Sequence, residues 1–355
     1  MNRWNGCRQI LPVQEIDYFR HYDAEGFSYP PESYGIMAVW DAGHWITFIA
    51  HRIPITNPFQ NNLDGSNGAA AFFLSGNESE AGAILRKFGG RYVITDAQMA
   101  VDTFTNLVPW QSNSADISSY IKWFLIPDAH DASGLIKVHR FDNSYFQTLV
   151  VRLHTFDGSM IIPRTGDYID YVIRKVPAPG ETAGDVNGYA RVITGERLLD
   201  LTRTHSDAPL VKEGAELFPA KYADVFSKIP YKPLQKVPAL THYRLIHESF
   251  TNASVQAFPE SEIVTLPDIK RVKIFEYVKG AHITGKGIIE LPVTTNTGRS
   301  FIYLQESENG VFVVPYSTQA SPFDVRATGQ YHILGSDTYV DVSEEAVLFG
   351  QTVNP

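Results

Sequence analysis

The pattern that most limits this fold runs from about Ile269 to the end of the chain. There, apolar residues come in runs too short for ordinary helices, at Ile288 to Val293, Phe301 to Gln305 and Val311 to Val314. Just before them, Arg271 and Lys273 alternate with Val272 and Ile274, the two-residue period of a half-buried strand. Asn309-Gly310 stands between two of the runs. This dipeptide accepts the left-handed backbone of a tight hairpin turn. The tail is therefore expected to be a small β-sandwich or barrel.

The first half reads differently. Tyr34 to Val39 is a short apolar run with the look of a strand. From Gly43 to Arg52 a helix is expected, because Trp45, Ile49 and Ile53 are four apart, and Pro54 and Pro58 end it. Gln60 to Gly68 reads as loop. A helix over Ser79 to Phe88 has Ser79 as its expected N-cap and Gly89 beyond its end. Tyr92-Val93-Ile94 is a buried-type strand, after which Thr95 or Asp96 caps a helix through Met99, Thr103 and Leu107. A further helix is expected over Ile117 to Leu125, and strands over Leu135 to Val138 and Thr148 to Leu153, followed by a turn at Phe156-Asp157-Gly158. The stretch from Thr165 to Val225, broken by Pro177, Pro179 and Gly180, reads as an insertion. The fold class is α+β: a mixed α/β central core with an insertion, then a small all-β peripheral domain.

A length of 355 residues predicts two or three packing units rather than one core. Hydrophobic residues at 44% against charged residues at 19% argue for a globular chain rather than a disordered one. The net charge of -9, with no basic run to offset it, argues against a nucleic-acid partner. Cys7 is the lone cysteine, so neither an internal disulfide nor a zinc cluster is available. No apolar run approaches the ~20 residues that cross a bilayer. Met1 to Ile10 lacks the apolar stretch of a signal peptide. The chain by itself is expected to be soluble, which leaves open that it is part of a membrane protein. The 12% aromatic content fits packed β cores and also a surface facing carbohydrate or peptide.

No nucleophile elbow, phosphate loop or His-Glu-x-x-His motif occurs. The 11 histidines are scattered; His242 and His247, five apart, share neither a helix face nor a strand face. Asp64, Asp102 and Asp128 are isolated carboxylates. Two segments stand out. In Val39-Trp40-Asp41-Ala42-Gly43, Trp and Asp adjoin at an expected strand-to-helix switch. An indole N–H only donates and a carboxylate only accepts, so together they suit a hydroxyl, which does both. The plainer reading makes Asp41 an N-cap and packs Trp40 in the core. In Asp96-Ala97-Gln98-Met99-Ala100-Val101-Asp102-Thr103, positions 96, 99 and 103 share one helical face. There the plainer reading is a capped helix that buries Met99.

Taken in order, several stretches resemble the catalytic subunit of the oligosaccharyltransferases, above all the archaeal members. They are Tyr34-Gly35-Ile36-Met37 through Trp40-Asp41, Gly43-His44-Trp45-Ile46, Ala50-His51-Arg52-Ile53-Pro54 and Asn57-Pro58-Phe59-Gln60. Tyr92 to Asp96, Val150 to Leu153 with Phe156-Asp157-Gly158, Val237 to Leu240 with His242 to Leu245, and Asn296-Thr297-Gly298-Arg299 support it. The similarity extends over most of the chain from about Tyr18. The family transfers a lipid-linked oligosaccharide to asparagine in Asn-x-Ser/Thr. Its architecture implies an unassigned segment 1–16, a core over 17–165 and 211–262 interrupted by an insertion 166–210, and a peripheral β domain 263–355.

The family's Trp-Trp-Asp-Tyr-Gly motif reads the hydroxyl two residues after the asparagine, a role the resemblance gives to Trp40 and Asp41. A second motif, Asp-x-x-Lys or Asp-x-x-Met, is matched by Asp96 and Met99, with Met99 against the threonine methyl. Val39 stands for the first Trp, Ala42 for Tyr, and Thr103 for a Lys or aliphatic residue of the second motif, while Gly43 is kept. The resemblance implies no catalytic residue and no metal ligand in this chain. A divalent metal, Mn or Mg, would be held by a membrane part outside it, and the chain alone would be inactive. The implied partners are an acceptor polypeptide and a lipid-linked oligosaccharide, for a monomer on the extracellular face of the cell membrane. The alternatives are a free-standing carbohydrate- or peptide-binding module, or an inactive paralogue of the transferase. The chain carries sequons of its own at Asn77 and Asn252, each followed by x-Ser.

Overall fold

The computed structural model describes residues 32–112, 116–127, 135–163, 167–170, 191–193, 211–212, 215–218, 233, 235–257, 262–319 and 321–354. Segment 1–16 with Cys7, the expected start of the core up to residue 31, Asp128 and most of the 166–210 insertion lie outside these. Of the insertion, strands Asp167–Asp170 and Arg191–Ile193 are described, in one sheet with Ala215–Phe218 and Val211–Lys212.

The core is a five-stranded mixed sheet in the order Tyr243–Glu248, Val272–Tyr277, Gly90–Asp96, Gly35–Met37, Ile53–Pro54. Gly35–Met37 is parallel to both of its neighbours, and Val272–Tyr277 is antiparallel to both of its own. The two-residue period sends alternate side chains to opposite faces. Met37, Val93, Leu245 and Phe275 enter the main core with helices Ala69–Leu74, Glu78–Lys87, Phe104–Gln111 and Leu149–His154. Ile36, Tyr92, Ile94, Ile246 and Ile274 face the other way and meet Ala42 and Ile46. Both faces of the sheet are thus covered.

Several expected elements change on the structure. The N-cap of Glu78–Lys87 is Asn77, not Ser79: the Asn77 side-chain oxygen Oδ1 accepts from the backbone N–H groups of Ser79 and Glu80. Gly89 follows at φ +59, where a Cβ is strained. The helix expected over Ile117 to Leu125 is one 3-10 turn, Ile117–Ser119, and then a strand, Ile121–Pro127, paired with Leu135–Phe141. The run Ile-Lys-Trp-Phe-Leu-Ile carries more β preference than helical period. Conversely, the strand expected over Thr148 to Leu153 is the helix Leu149–His154. All six of its residues are buried, so no solvent face shows its period, and a short apolar run does not distinguish the two states. The chain does turn at Asp157 and Gly158, with φ +55 and +76.

The C-terminal region packs two sheets. One has the order Val311–Val314, Ala281–Thr284, Thr352–Val353; the other runs Ser300–Glu306, Ile288–Thr294, Tyr331–Ile333, Tyr339–Val340. Ile289, Leu291 and Val293 alternate inward and share a core with Ile283, Phe312 and Tyr331. Near the end, the short helix Glu344–Phe349 is capped by Ser343. Asn309-Gly310 makes the expected tight turn, with paired hydrogen bonds between Glu308 and Val311. It does not close a hairpin, because the strands on either side of it belong to different sheets. The strand Val272–Tyr277 lies inside the core sheet, so a division at 262/263 would cut that sheet in two.

Candidate functional site

The strands Gly35–Met37 and Gly90–Asp96 are adjacent and parallel, and both deliver their carboxyl ends to the same place. Crevices beyond the carboxyl ends of parallel strands are where α/β sheets bind ligands. Here the crevice is a pocket of about 440 Å³.

One wall follows the first strand. Val39 is extended, Trp40–Ala42 is a single 3-10 turn, and the helix Gly43–Phe48 continues it directly. Thr56 donates to the Ala38 carbonyl oxygen (2.8 Å) and ties this switch to the neighbouring loop. At Gly43 a Cβ would lie 2.4 Å from the Thr56 carbonyl oxygen and 2.5 Å from the Asn57 Cα. Only glycine lets the helix start so close to that loop. The wall presents Val39, Trp40, Asp41, Ala42, Trp45 and Ile49. Trp40 is half-buried against the core and Asp41 is exposed. Asp41 does not cap a helix: the cap positions here are Val39 and Ala42, neither with a side-chain cap bond.

The opposite wall follows the second strand. The expected continuous helix is a π turn, Gln98–Asp102, and then the α-helix Phe104–Gln111. The Gln98 carbonyl oxygen accepts from both the N–H (2.8 Å) and the hydroxyl (3.2 Å) of Thr103. Such five-residue turns recur at functional sites because they re-aim side chains. Asp96 accepts the Met99 N–H at 2.7 Å and so caps the turn. This wall presents Asp96, Gln98, Met99, Thr103 and Asn106. Met99 is only 1% exposed, so its sulfur-bearing chain is a floor rather than a projecting contact.

The structure therefore brings Val39, Trp40, Asp41, Ala42, Asp96, Met99 and Thr103 around one cavity. Gly43 stands behind it as a spacer. Trp45, Ile49, Gln98 and Asn106 join them without having been singled out as binding residues. A signal for two of them was available: Asp41, Trp45 and Ile49 are spaced four apart. The lining offers indole and amide donors, carboxylate acceptors and aliphatic surface, with no nucleophile beside a base. Donors and acceptors side by side are what a hydroxyl-bearing group needs, since a hydroxyl does both.

Behind Asp96 the framework is polar and buried. Thr95, fully buried, meets His154 Nδ1 at 3.0 Å. The His154 carbonyl oxygen accepts from Lys273 Nζ (2.7 Å), which also pairs with Asp157 at 2.6 Å. Arg299 bridges Asp157 (2.7 Å) and Glu248 (2.6 Å). Thr295, Thr297 and Asn296 complete the cradle around Glu248. Burial, helped by the Lys273 ammonium, holds His154 well below the usual imidazole range. Burial also lowers Lys273, partly offset by Asp157. At Glu248 burial pushes the carboxyl up, but bonds from Arg299, Thr295 and Thr297 outweigh it and lower it. The stretches Phe156-Asp157-Gly158 and Asn296 to Arg299 meet here.

Residues 3–100 match the family model of the AglB core domain, and residues 280–353 that of the archaeal glycosylation protein B long peripheral domain. A curated relative, dolichyl-phosphooligosaccharide-protein glycotransferase 3 of Archaeoglobus fulgidus, is 28% identical over 90% of this chain and 36% of its own length. The chain thus spans about a third of that relative. The crystal structure of the Archaeoglobus fulgidus oligosaccharyltransferase with zinc and sulfate superposes with a TM-score of 0.62 at 23% identity, over 99% of this chain and 45% of that one. A second structure of that enzyme, tethered to an acceptor peptide containing an NVT sequon, gives 0.55 at 24% identity, over 94% and 39%. These likenesses establish the fold.

Proposed function

On the premise that this chain belongs to the archaeal oligosaccharyltransferase family, we propose that it is the acceptor-recognition part of an enzyme that transfers a lipid-linked oligosaccharide to asparagine in Asn-x-Ser/Thr. The observation that carries the reading is the pocket itself: Trp40 and Asp41 open onto a cavity whose other wall is Asp96, Met99 and Thr103. The Trp40 indole donates to the sequon hydroxyl and Asp41 accepts from it. With Val39 and Ala42 in place of Trp and Tyr, the grip rests on two groups. One missing hydrogen bond costs about 0.5–1.5 kcal/mol, which weakens hydroxyl selection without abolishing it. Met99 forms the surface beneath a threonine methyl, a contact worth at most ~0.8 kcal/mol over serine.

The bond-making step belongs to the rest of the enzyme. Among the described residues no group of three or more His, Cys, Asp or Glu can hold a metal ion. In this reading a divalent metal, Mn or Mg, is held by residues outside this chain. No helix among the described residues is long and apolar enough to cross a membrane. This part works as a monomer on the extracellular face of a cell membrane, with the lipid-linked donor bound elsewhere in the protein. The core extends through Tyr277 and the peripheral domain starts near residue 280, in line with the sheet and with the peripheral match.

The test uses the full-length parent. Asp41→Ala should lower glycan transfer to a sequon peptide by tenfold or more, and near-normal transfer would remove Asp41 from the role. The same assay addresses the inactive-paralogue reading that Val39 and Ala42 motivate: a wild-type parent with no transfer would establish it.

A further inference from the structure

The chain holds two sequons, Asn77-Glu78-Ser79 and Asn252-Ala253-Ser254. The structure treats them differently. Asn77 and Ser79 are both exposed. The side-chain oxygen of Asn77 accepts from Ser79 N–H (2.9 Å) and Glu80 N–H (3.4 Å). Backbone N–H groups only donate, so this pair fixes which amide atom is oxygen and which is nitrogen. The nitrogen, Nδ2, faces none of the capping bonds. A saccharide attached there leaves the carbonyl oxygen, and with it the helix cap, intact. Beside it lies a cleft of about 870 Å³, rimmed by Ser79, His242, Gln305 and Asn309, with room for a first sugar. Asn252 is instead half-buried in a strand, and its oxygen accepts from Lys270 Nζ at 2.8 Å.

We propose that Asn77 is itself an N-glycosylation site, modified by the lipid-linked saccharide that the parent enzyme or its host uses. This rests on the reading that the domain faces the compartment where transfer occurs. In the step, a bond forms between Nδ2 and the anomeric carbon of the saccharide. The anomeric C–O bond to the lipid phosphate breaks, its electron pair leaves on the phosphate oxygen, and one amide proton passes to that phosphate or to water.

The experiment is mass spectrometry of glycan occupancy on the full-length parent, expressed in a glycosylating archaeal host with a flexible C-terminal Asn-Val-Thr tag. Asn77 should be occupied at more than ten times the level of Asn252. Ser79→Ala should abolish the Asn77 glycan while the melting temperature of the deglycosylated protein stays unchanged, because the cap uses the backbone of residue 79, not its hydroxyl. A glycosylated tag beside a bare Asn77 would overturn the proposal and leave the domain's placement standing. An occupied Asn252 with a bare Asn77 would also overturn it. If tag and Asn77 are both bare in a host that glycosylates its own proteins, the placement itself fails, and this proposal with it.

Discussion

At the scale of single residues, the proposed grip divides two tasks, because the Trp40 indole N–H only donates and the Asp41 carboxylate only accepts. Trp40→Phe keeps a ring against the core and deletes only the N–H. Transfer by the full-length parent should fall about two- to tenfold, the equivalent of ~0.5–1.5 kcal/mol, with little change in melting temperature. Trp40→Ala should lower both. His154 sets a different expectation. Its folded-state pKa lies well below the ordinary 6.5, so the unfolded chain binds the proton first as pH falls. Its contribution to stability is whole above about pH 6.5 and is lost on acidification through the interval down to the folded value. In that interval the unfolding free energy should drop by up to about 1.4 kcal/mol per pH unit from this group alone. Urea titrations between pH 7 and 5 should show a shallower slope for His154→Gln. Trp40 and Asp41 stand out in sequence as complementary chemistry at adjacent positions, but that chemistry alone favours a structural reading, and it is the family resemblance that points to a binding role. Gln98 and Asn106 do not stand out, because an exposed amide looks the same on any surface helix.

At the scale of elements, legibility followed exposure of the period. Glu78–Lys87 shows a buried face and an exposed one and was readable to within a residue. Leu149–His154 is buried all round, so its sequence shows no helical period and reads as a strand. The π turn at Gln98–Asp102 is invisible to a 3.6-residue template, yet it decides that Met99 lies under the pocket while Gln98 stands at its edge. The cap gives a direct check: Asn77→Ala should destabilise the fold by about 1 kcal/mol in chemical denaturation, and Ser79→Ala by much less. Equal effects would mean that the cap is not the source.

At the scale of the whole molecule, the peripheral and core regions are joined by charge as well as by apolar packing. Arg299, from a loop of the C-terminal sheets, reaches Asp157 and Glu248 of the core. Glu248 is fully buried, so Arg299→Ala strands a carboxylate without its cation. The expected loss is about 3 kcal/mol, read from the denaturation midpoint. Because the network reaches Thr95, next to Asp96, the variant should also raise the KM for a sequon peptide. None of this was visible in sequence: Asp157, Glu248, Lys273 and Arg299 lie far apart along the chain, and a β-rich tail suggested a boundary before Lys273 rather than a strand of the core.

That strand also governs when the pocket can exist. Gly90–Asp96, which supplies Asp96, acquires its partner Val272–Tyr277 only after the 175 residues between Asp96 and Val272 have been made. Closing so long a loop is slow, and the sheet edge stays open until it happens. A nascent chain therefore holds both walls of the pocket, with the edge of Gly90–Asp96 unpaired, while all of those intervening residues are made. The core sheet is complete only when Tyr277 has left the ribosome, so a truncation at residue 262 should be taken up by chaperones, while one just past residue 278 can still complete the sheet.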